Sequence, residues 1–365
     1  MPRGNALERA LSGDPLGIGD VEELMRWDLW ELGRAASRLT RSLFGDRVTF
    51  ISNMVLNYTN VCSVACRFCA FYRPPGHPEG YVRSPEEAAR LARELDAAHG
   101  LRQILVQGGV NPELDVEYYE ELFAALKSAV PGAAIHGLSP VEVDYIARRG
   151  RMSYREVLDR LRRAGMDTMA GGGGEILVDR VRREIAPRKL GTDAWLRIME
   201  EAHSMGIMSN ATMMYGHAES VRDRAEHILR ILELQRRTRG FLSFTAWNFE
   251  PGNSDLTREY PYPATAATLL RVVAVSRLVF RDVLPNIQSS WLTNGLDAAR
   301  LAIRFGANDF GGTLLEERVI PATGSRANAM DRQRVVDILR SMGMRPAERD
   351  NWYRVIREYR SRGRR

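Results

Sequence analysis

From about residue 48 onward, short runs of β-branched and apolar residues alternate one for one with helical stretches that end on glycine. Nothing else in the chain limits its fold as much, because a strand, a helix and a second strand close into a parallel βαβ unit. Strand-like runs fall at 48–57, 103–107, 134–138, 167–170, 207–213 and 242–247, with two weaker ones at 286–290 and 309–311. The helices between them carry end signals. Ser84, Pro85 and Glu87 combine an N-cap, a first-turn proline and a capping box, and Gly100 stops the helix they open. Ser153 and Glu156 repeat the box ahead of Gly165. Thr192 opens a helix that ends at Gly206, and another closes at Gly240. Eight strands in strict alternation predict an α/β fold of the (β/α)8 TIM type; the rival is an open doubly wound sheet.

Residues 1–45 carry apolar positions Val21, Leu24, Leu29 and Leu32 at helical spacing and are expected as an N-terminal helical extension. The barrel is expected over 46–325. Residues 326–365 read as a C-terminal helical extension, with Val335, Ile338 and Leu339 and then Trp352, Val355 and Ile356 on its apolar faces. A chain of 365 residues with 44% apolar content can bury such a core without staples. No run approaches a membrane span, and the N-terminal residues lack the apolar stretch of a signal peptide. The net charge of +6 comes mostly from dispersed arginines, and no nucleic-acid motif accompanies it. A cytoplasmic, enzymatic chain is therefore expected rather than a nucleic-acid-binding or non-catalytic metal protein.

All three cysteines, Cys62, Cys66 and Cys69, lie within eight residues directly after the first strand. In a barrel that is a βα loop at the C-terminal face, where active sites sit. Three thiols this close make no disulfide framework. They can each hold one iron of a [4Fe-4S] cluster, and with no fourth cysteine one iron stays open for a ligand. The bland alternative is a Cys3His zinc site completed by His77.

Cx3Cx2C after the first strand, with Phe68 before the last cysteine, resembles the radical S-adenosylmethionine (SAM) superfamily. Further stretches carry the resemblance to its futalosine and deazaflavin group: Asn57 to Val61, Cys69 to Arg73, Gln107 to Pro112, Gly171 to Leu177, and Gly306 to Thr313 followed by Glu316 and Glu317. Gly76 to Val82, Ala211 to His217 and Ile287 to Trp291 are similar to the cyclic dehypoxanthinyl futalosine synthase family; the aminofutalosine synthase and deazaflavin synthase families are the alternatives. The resemblance implies a small-molecule substrate, dehypoxanthine futalosine, and an electron donor such as flavodoxin or ferredoxin. It implies Cys62, Cys66 and Cys69 as cluster ligands. Around SAM it implies Phe68, Gly108, Gly109, Ser139, Glu175, Arg182 and Lys189. Tyr72, Arg73, His77, Glu79 and Tyr81, beyond the cluster, are candidates to close over substrate, with Gln288, Ser289, Trp291 and Asn308 on the opposite rim. His217, Asp309 and Glu250 are the unranked candidates for a proton acceptor. Each also has a plain structural reading: the glycines as a tight turn, Arg182 and Lys189 as a solvated helix face, His217 as a satisfied core histidine.

Overall fold

The structure is a computed structural model that describes residues 5–326 and 329–359. One sheet contains β1 (Arg47–Ile51), β2 (Asn53–Asn57), β3 (Gln103–Gln107), β4 (Ala134–Gly137), β5 (Thr168–Met169), β6 (Ser209–Tyr215), β7 (Phe241–Asn248), β8 (Ile287–Gln288), β9 (Asp309–Gly312), β10 (Arg345–Arg349) and β11 (Val355–Glu358). Their order is β11-β10-β1-β9-β8-β7-β6-β5-β4-β3-β2. β1 and β2 are the two halves of one strand, interrupted at Ser52. β1 pairs with β9, and β2 pairs with β3, both in parallel. Residues 313–315 continue β9 along β2: Thr313 N–H donates to the Ile51 carbonyl (3.0 Å), Leu315 N–H to Asn53 (3.1 Å) and Val55 N–H to Leu315 (2.7 Å). The first strand thus meets the second on one side and the eighth on the other. This closes a (β/α)8 barrel and removes the open-sheet alternative. All eight strand positions read from the sequence are occupied.

The capping boxes at Ser84/Glu87 and Ser153/Glu156 are formed, and Gly100 caps its helix in the left-handed region. The helices Ala6–Ser12, Ile18–Arg26 and Leu29–Phe44 precede the barrel and buttress its outer layer, with Val21, Leu24 and Leu32 fully buried. A Cβ on Gly33 would lie 2.4 Å from the Phe305 ring, so this residue sets how closely the third helix docks.

The C-terminal extension departs from expectation. It is helical only over Arg332–Ser341; Gly343, at φ +71, ends that run, and β10 and β11 follow. Residues 355 and 356 are exposed β-branched positions on β11 rather than a buried helix face. The cause is tertiary. β3 covers only the upper half of the first strand, which leaves the edge of β1 unpaired, and β10 pairs with it in parallel from Arg47↔Arg345 to Phe50↔Glu348. The requirement to pair a strand edge outweighs a helical spacing of apolar residues. Residues 1–4, 327–328 and 360–365 of the two extensions lie outside the described residues.

β10 delivers residues 349–353 into the lower end of the barrel, whose interior is polar. Asn53 Nδ2 donates to Gln103 Oε1 (2.9 Å), Gln103 Nε2 to Asn351 Oδ1 (2.6 Å), and Asn351 Nδ2 to Thr168 Oγ1 (2.9 Å). Thr168 Oγ1 also meets His136 Nδ1 (2.7 Å), and Asn210 Nδ2 donates to His136 Nε2 (3.3 Å). Asp309, fully buried, accepts from Arg349 Nε (2.6 Å) and Nη2 (3.2 Å) and from Thr49 Oγ1 (2.6 Å).

Burial holds three histidines neutral, lowering His136 and His227 to about 3 and His203 to about 4 from an ordinary 6.5. The unfolded chain protonates them as pH falls through about 6.5, whereas the folded chain does not until far lower, so their stability contribution is complete above that value and shrinks below it. Urea unfolding is therefore expected to show a lower midpoint at about pH 5 than at about pH 7.5, and His136→Gln to reduce the difference.

Candidate functional site

At the upper mouth of the barrel, the chain leaves β2 through a buried Tyr58. Its hydroxyl donates to Glu142 Oε1 (2.7 Å), and its ring meets Tyr119 edge-on at 5.5 Å. The cysteine loop that follows is fastened by its backbone. Cys62 N–H donates to Arg73 O (2.9 Å), Ser63 N–H to Val110 O (2.9 Å), Arg67 N–H to Ile185 O (2.9 Å) and Cys69 N–H to Cys66 O (3.0 Å). Two glycines at the end of β3 make room for it. A Cβ on Gly109 would stand 2.1 Å from the Val61 carbonyl oxygen, and one on Gly108 would stand 2.8 Å from the Tyr58 ring. Their first duty is close approach of two backbones, with one side left facing the cavity.

That cavity, about 200 Å³, is lined by all three cysteines together with Phe68, Ser139 and Lys189, among others. Cys66 is buried, and burial pushes its thiol up to about 12 against the pull of Lys189. Burial raises Cys69 as well. A bound metal reverses this, since coordination ionises a thiol outright. Among the described residues, no three His, Cys, Asp or Glu side chains converge as a single ion requires. His77 Nδ1 accepts from Glu79 N–H (3.1 Å), and this histidine is not among the residues that line the cavity with the cysteines. A cluster takes one thiolate per iron and makes no demand that the three meet at one point.

Behind the cysteines lies the turn at 171–177. A Cβ on Gly171 would stand 2.2 Å from the Asn210 carbonyl oxygen, and Glu175 sits at φ +26. Thr212 Oγ1 donates to Gly171 O (2.6 Å), Met214 N–H to Glu175 O (3.0 Å), and Leu177 N–H to His227 Nδ1 (3.0 Å). Arg182 spends its guanidinium on carbonyls: Nη1 on Gly173 (2.9 Å) and Gly174 (3.1 Å), Nη2 and Nε on Leu190 (2.7 and 3.2 Å). It therefore shapes the turn and stands outside the cavity lining. Lys189 Nζ pairs with Glu175 Oε1 (2.8 Å) and lies 4.9 Å from the Phe68 ring centroid. Burial alone would lower the lysine, but the Cys66 sulfur beside it and the Glu175 carboxylate that it pairs with outweigh burial, and it stays charged.

The remaining candidates divide into two groups. Ser139, which caps the helix Pro140–Gly150, and Tyr72 line the cavity with the cysteines. The segment beyond the loop folds on itself: Arg73 Nε donates to Glu79 Oε2 (2.7 Å), and Tyr81 hydroxyl to Asn57 O (3.1 Å). Ser289 Oγ donates to Phe310 O (3.3 Å), and Trp291 Nε1 to Gly312 O (3.1 Å). Asn308 Oδ1 accepts from Arg277 Nη2 (2.7 Å) and the Ile287 N–H (2.9 Å), while Gln288 Nε2 donates to Tyr353 (2.8 Å). None of these four is among the residues that line the cysteine cavity; they lie on and beside β8 and β9. His217 is locked by Met214 O (3.1 Å) and Glu219 (3.2 Å), and burial depresses its pKa. Asp309 is neutralised by Arg349. Glu250, half-buried after β7, has its carboxyl raised by burial. Sequence reasoning missed Asn57, Gln107 and Glu142, which also line the cavity. Ser139-x-x-Glu142 is a capping-box signal that was there to be read, with Ser139 N–H donating to Glu142 Oε2 (2.6 Å).

Arg182→Ala would leave three carbonyls without their donor in a buried turn and take away the second cation near Glu175, 3.8 Å off, and a loss of about 3–5 kcal/mol in urea unfolding is expected. Arg182→Lys should recover only part of it, because one ammonium does not reproduce the guanidinium fork.

The chain matches the sequence profile of the Radical SAM superfamily over residues 56–231 and that of the CofH/MqnC C-terminal region over residues 238–362. It is 38% identical to the cyclic dehypoxanthine futalosine synthase of Halalkalibacterium halodurans, over 97% of this chain and 95% of that one. It is also 38% identical to the 5-amino-6-(D-ribitylamino)uracil--L-tyrosine 4-hydroxyphenyl transferase of Methanopyrus kandleri, over 91% of this chain and 90% of that one. Among solved structures, methylornithine synthase (PylB) superposes with a TM-score of 0.72 at 22% identity, over 94% of this chain and 97% of that one, which is a likeness of fold. With its barrel, its cysteine loop and relatives of this extent, the chain belongs to the radical SAM superfamily.

Proposed function

We propose that the chain is a radical SAM cyclase that converts dehypoxanthine futalosine into cyclic dehypoxanthinyl futalosine. In this reading Cys62, Cys66 and Cys69 hold a [4Fe-4S] cluster with SAM beside it. The observation that carries the reading is three thiols around one cavity at the barrel mouth, with a buried Lys189–Glu175 pair behind Cys66. When bound, the reduced cluster supplies the electron that cleaves the SAM sulfonium and gives a 5'-deoxyadenosyl radical. The protein's part is to bind, orient and exclude water. Lys189 and Glu175 offer an ammonium and a carboxylate side by side, the complement of the carboxylate and ammonium of an amino acid. Phe68 gives a flat apolar face for adenine, and Ser139 a hydroxyl for ribose.

On the substrate, ribose C4' loses a hydrogen atom, bonds to the benzoate ring, and a proton and an electron then leave. Proximity is the main contribution asked of the chain. Glu250 is our choice for the proton, because its raised carboxyl is the one among the three candidates not committed to a buried partner of opposite charge or a locked ring. The reaction also needs a small electron carrier of the flavodoxin or ferredoxin kind.

A second reading, transfer of the tyrosine side chain to a ribityl aminouracil, is supported by relatives of equal identity. The resemblance of segment 76–82 favours the first. The test is anaerobic reconstitution with iron and sulfide, reduction, and addition of SAM with each substrate set. A product two hydrogens lighter than dehypoxanthine futalosine, with matching 5'-deoxyadenosine, is expected. Consumption of tyrosine and the aminouracil instead would overturn the cyclase reading. Lys189→Met is expected to raise KM for SAM by about tenfold or more at unchanged iron content, as a lost charge-assisted contact does.

A further inference from the structure

Tyr353 is a second aromatic group brought to the barrel axis, and nothing so far gives it a task. It lies within a turn in which Asp350 Oδ1 accepts from the N–H groups of Trp352 (2.8 Å) and Arg354 (2.9 Å). Its φ is +64, a conformation that is costly for a bulky residue and persists only where its surroundings impose it. Those surroundings are specific. The Arg349 guanidinium lies 3.7 Å from the ring centroid and is itself fixed by Asp309, and Gln288 Nε2 donates to the phenolic oxygen (2.8 Å).

The strand registers show what lies above it. On β3, Gln103 bonds to Asn351 in the plug, and Gln107 lines the cysteine cavity. Leu105 is between them on the same inward face and is only half-buried. Asn210 and Gln288, inward on β6 and β8, are also only half-buried. Half-buried side chains inside a barrel border open space. By its place on β3, the open space at Leu105 lies between the cysteine cavity and the plug that carries Tyr353.

We propose that Tyr353 is the floor of the reaction chamber and that its hydroxyl donates a hydrogen bond to an oxygen at the buried end of the substrate, setting how deeply the substrate sits. Arg349 and Asp309 are positioning residues for it. The choice of substrate rests on the cyclase reading; the floor does not.

The experiment compares Tyr353→Phe with Asn351→Ala, a plug residue whose side chain bonds to Gln103 and Thr168. Y353F is expected to raise KM for the substrate about tenfold, as loss of one buried hydrogen bond does, and to release more 5'-deoxyadenosine than product. KM for SAM should stay unchanged, and Tm should fall by less than it does in N351A, since Gln288 Nε2 alone loses a partner. N351A is expected to lower Tm and leave the substrate KM alone. Wild-type KM and one-to-one coupling in Y353F would overturn the proposal, as would a KM rise that tracks the loss of Tm in both variants. Wild-type turnover of tyrosine with the aminouracil would mark failure of the cyclase reading alone, and that pair then serves as the probe for the same comparison.

Discussion

A barrel interior has to be filled, and this one is filled with groups that hydrogen-bond. Asn53, Gln103, His136, Thr168, Asn210 and Asp309 all turn inward, and each would be costly if left alone in a dry core. The strands satisfy them only in part. Residues 349–353 complete the set at Gln103, Thr168 and Asp309, and they reach the interior because β10 pairs with the edge of β1 that β3 leaves open. The lower end is therefore sealed and the upper end stays open. The position of the chemistry follows from that asymmetry.

At the open end, rigidity comes from the backbone and reactivity from a few side chains. The cysteine loop is tied to β3 and to the segment near Ile185 by main-chain bonds that do not involve the thiols. The turn bearing Glu175 is held by Arg182, Thr212 and His227. These groups hold a strained residue in place, and none of them need touch a ligand. Lys189 then sits where the Glu175 carboxylate compensates its burial, and where the Cys66 sulfur would add a second negative charge once a metal ionised it.

Much of this was legible in the sequence. The eight strands could be read because alternation of short β-branched runs with capped helices has few other solutions. The cysteine loop could be read because spacing carries its own chemistry. The C-terminal strands could not: Trp352, Val355 and Ile356 have helical spacing, and only the unpaired edge of β1, roughly three hundred residues earlier in the chain, explains why they form something else. The surroundings of Arg182 were not legible for a similar reason, since sequence reveals a cation but not the three carbonyls it meets. Tyr353 was invisible, because its importance lies in a left-handed turn and a distant Gln288.

The plug also has a consequence in time. Arg349, Asn351 and Tyr353 follow all eight barrel strands in the chain, so every inward polar group they satisfy is made before its partner. During synthesis the strands can collect and their helices can pack, but the centre stays wet until the segment that dries it has been translated. Completion of this fold is a late, single event, contributed by the part of the chain that resembles an appendage.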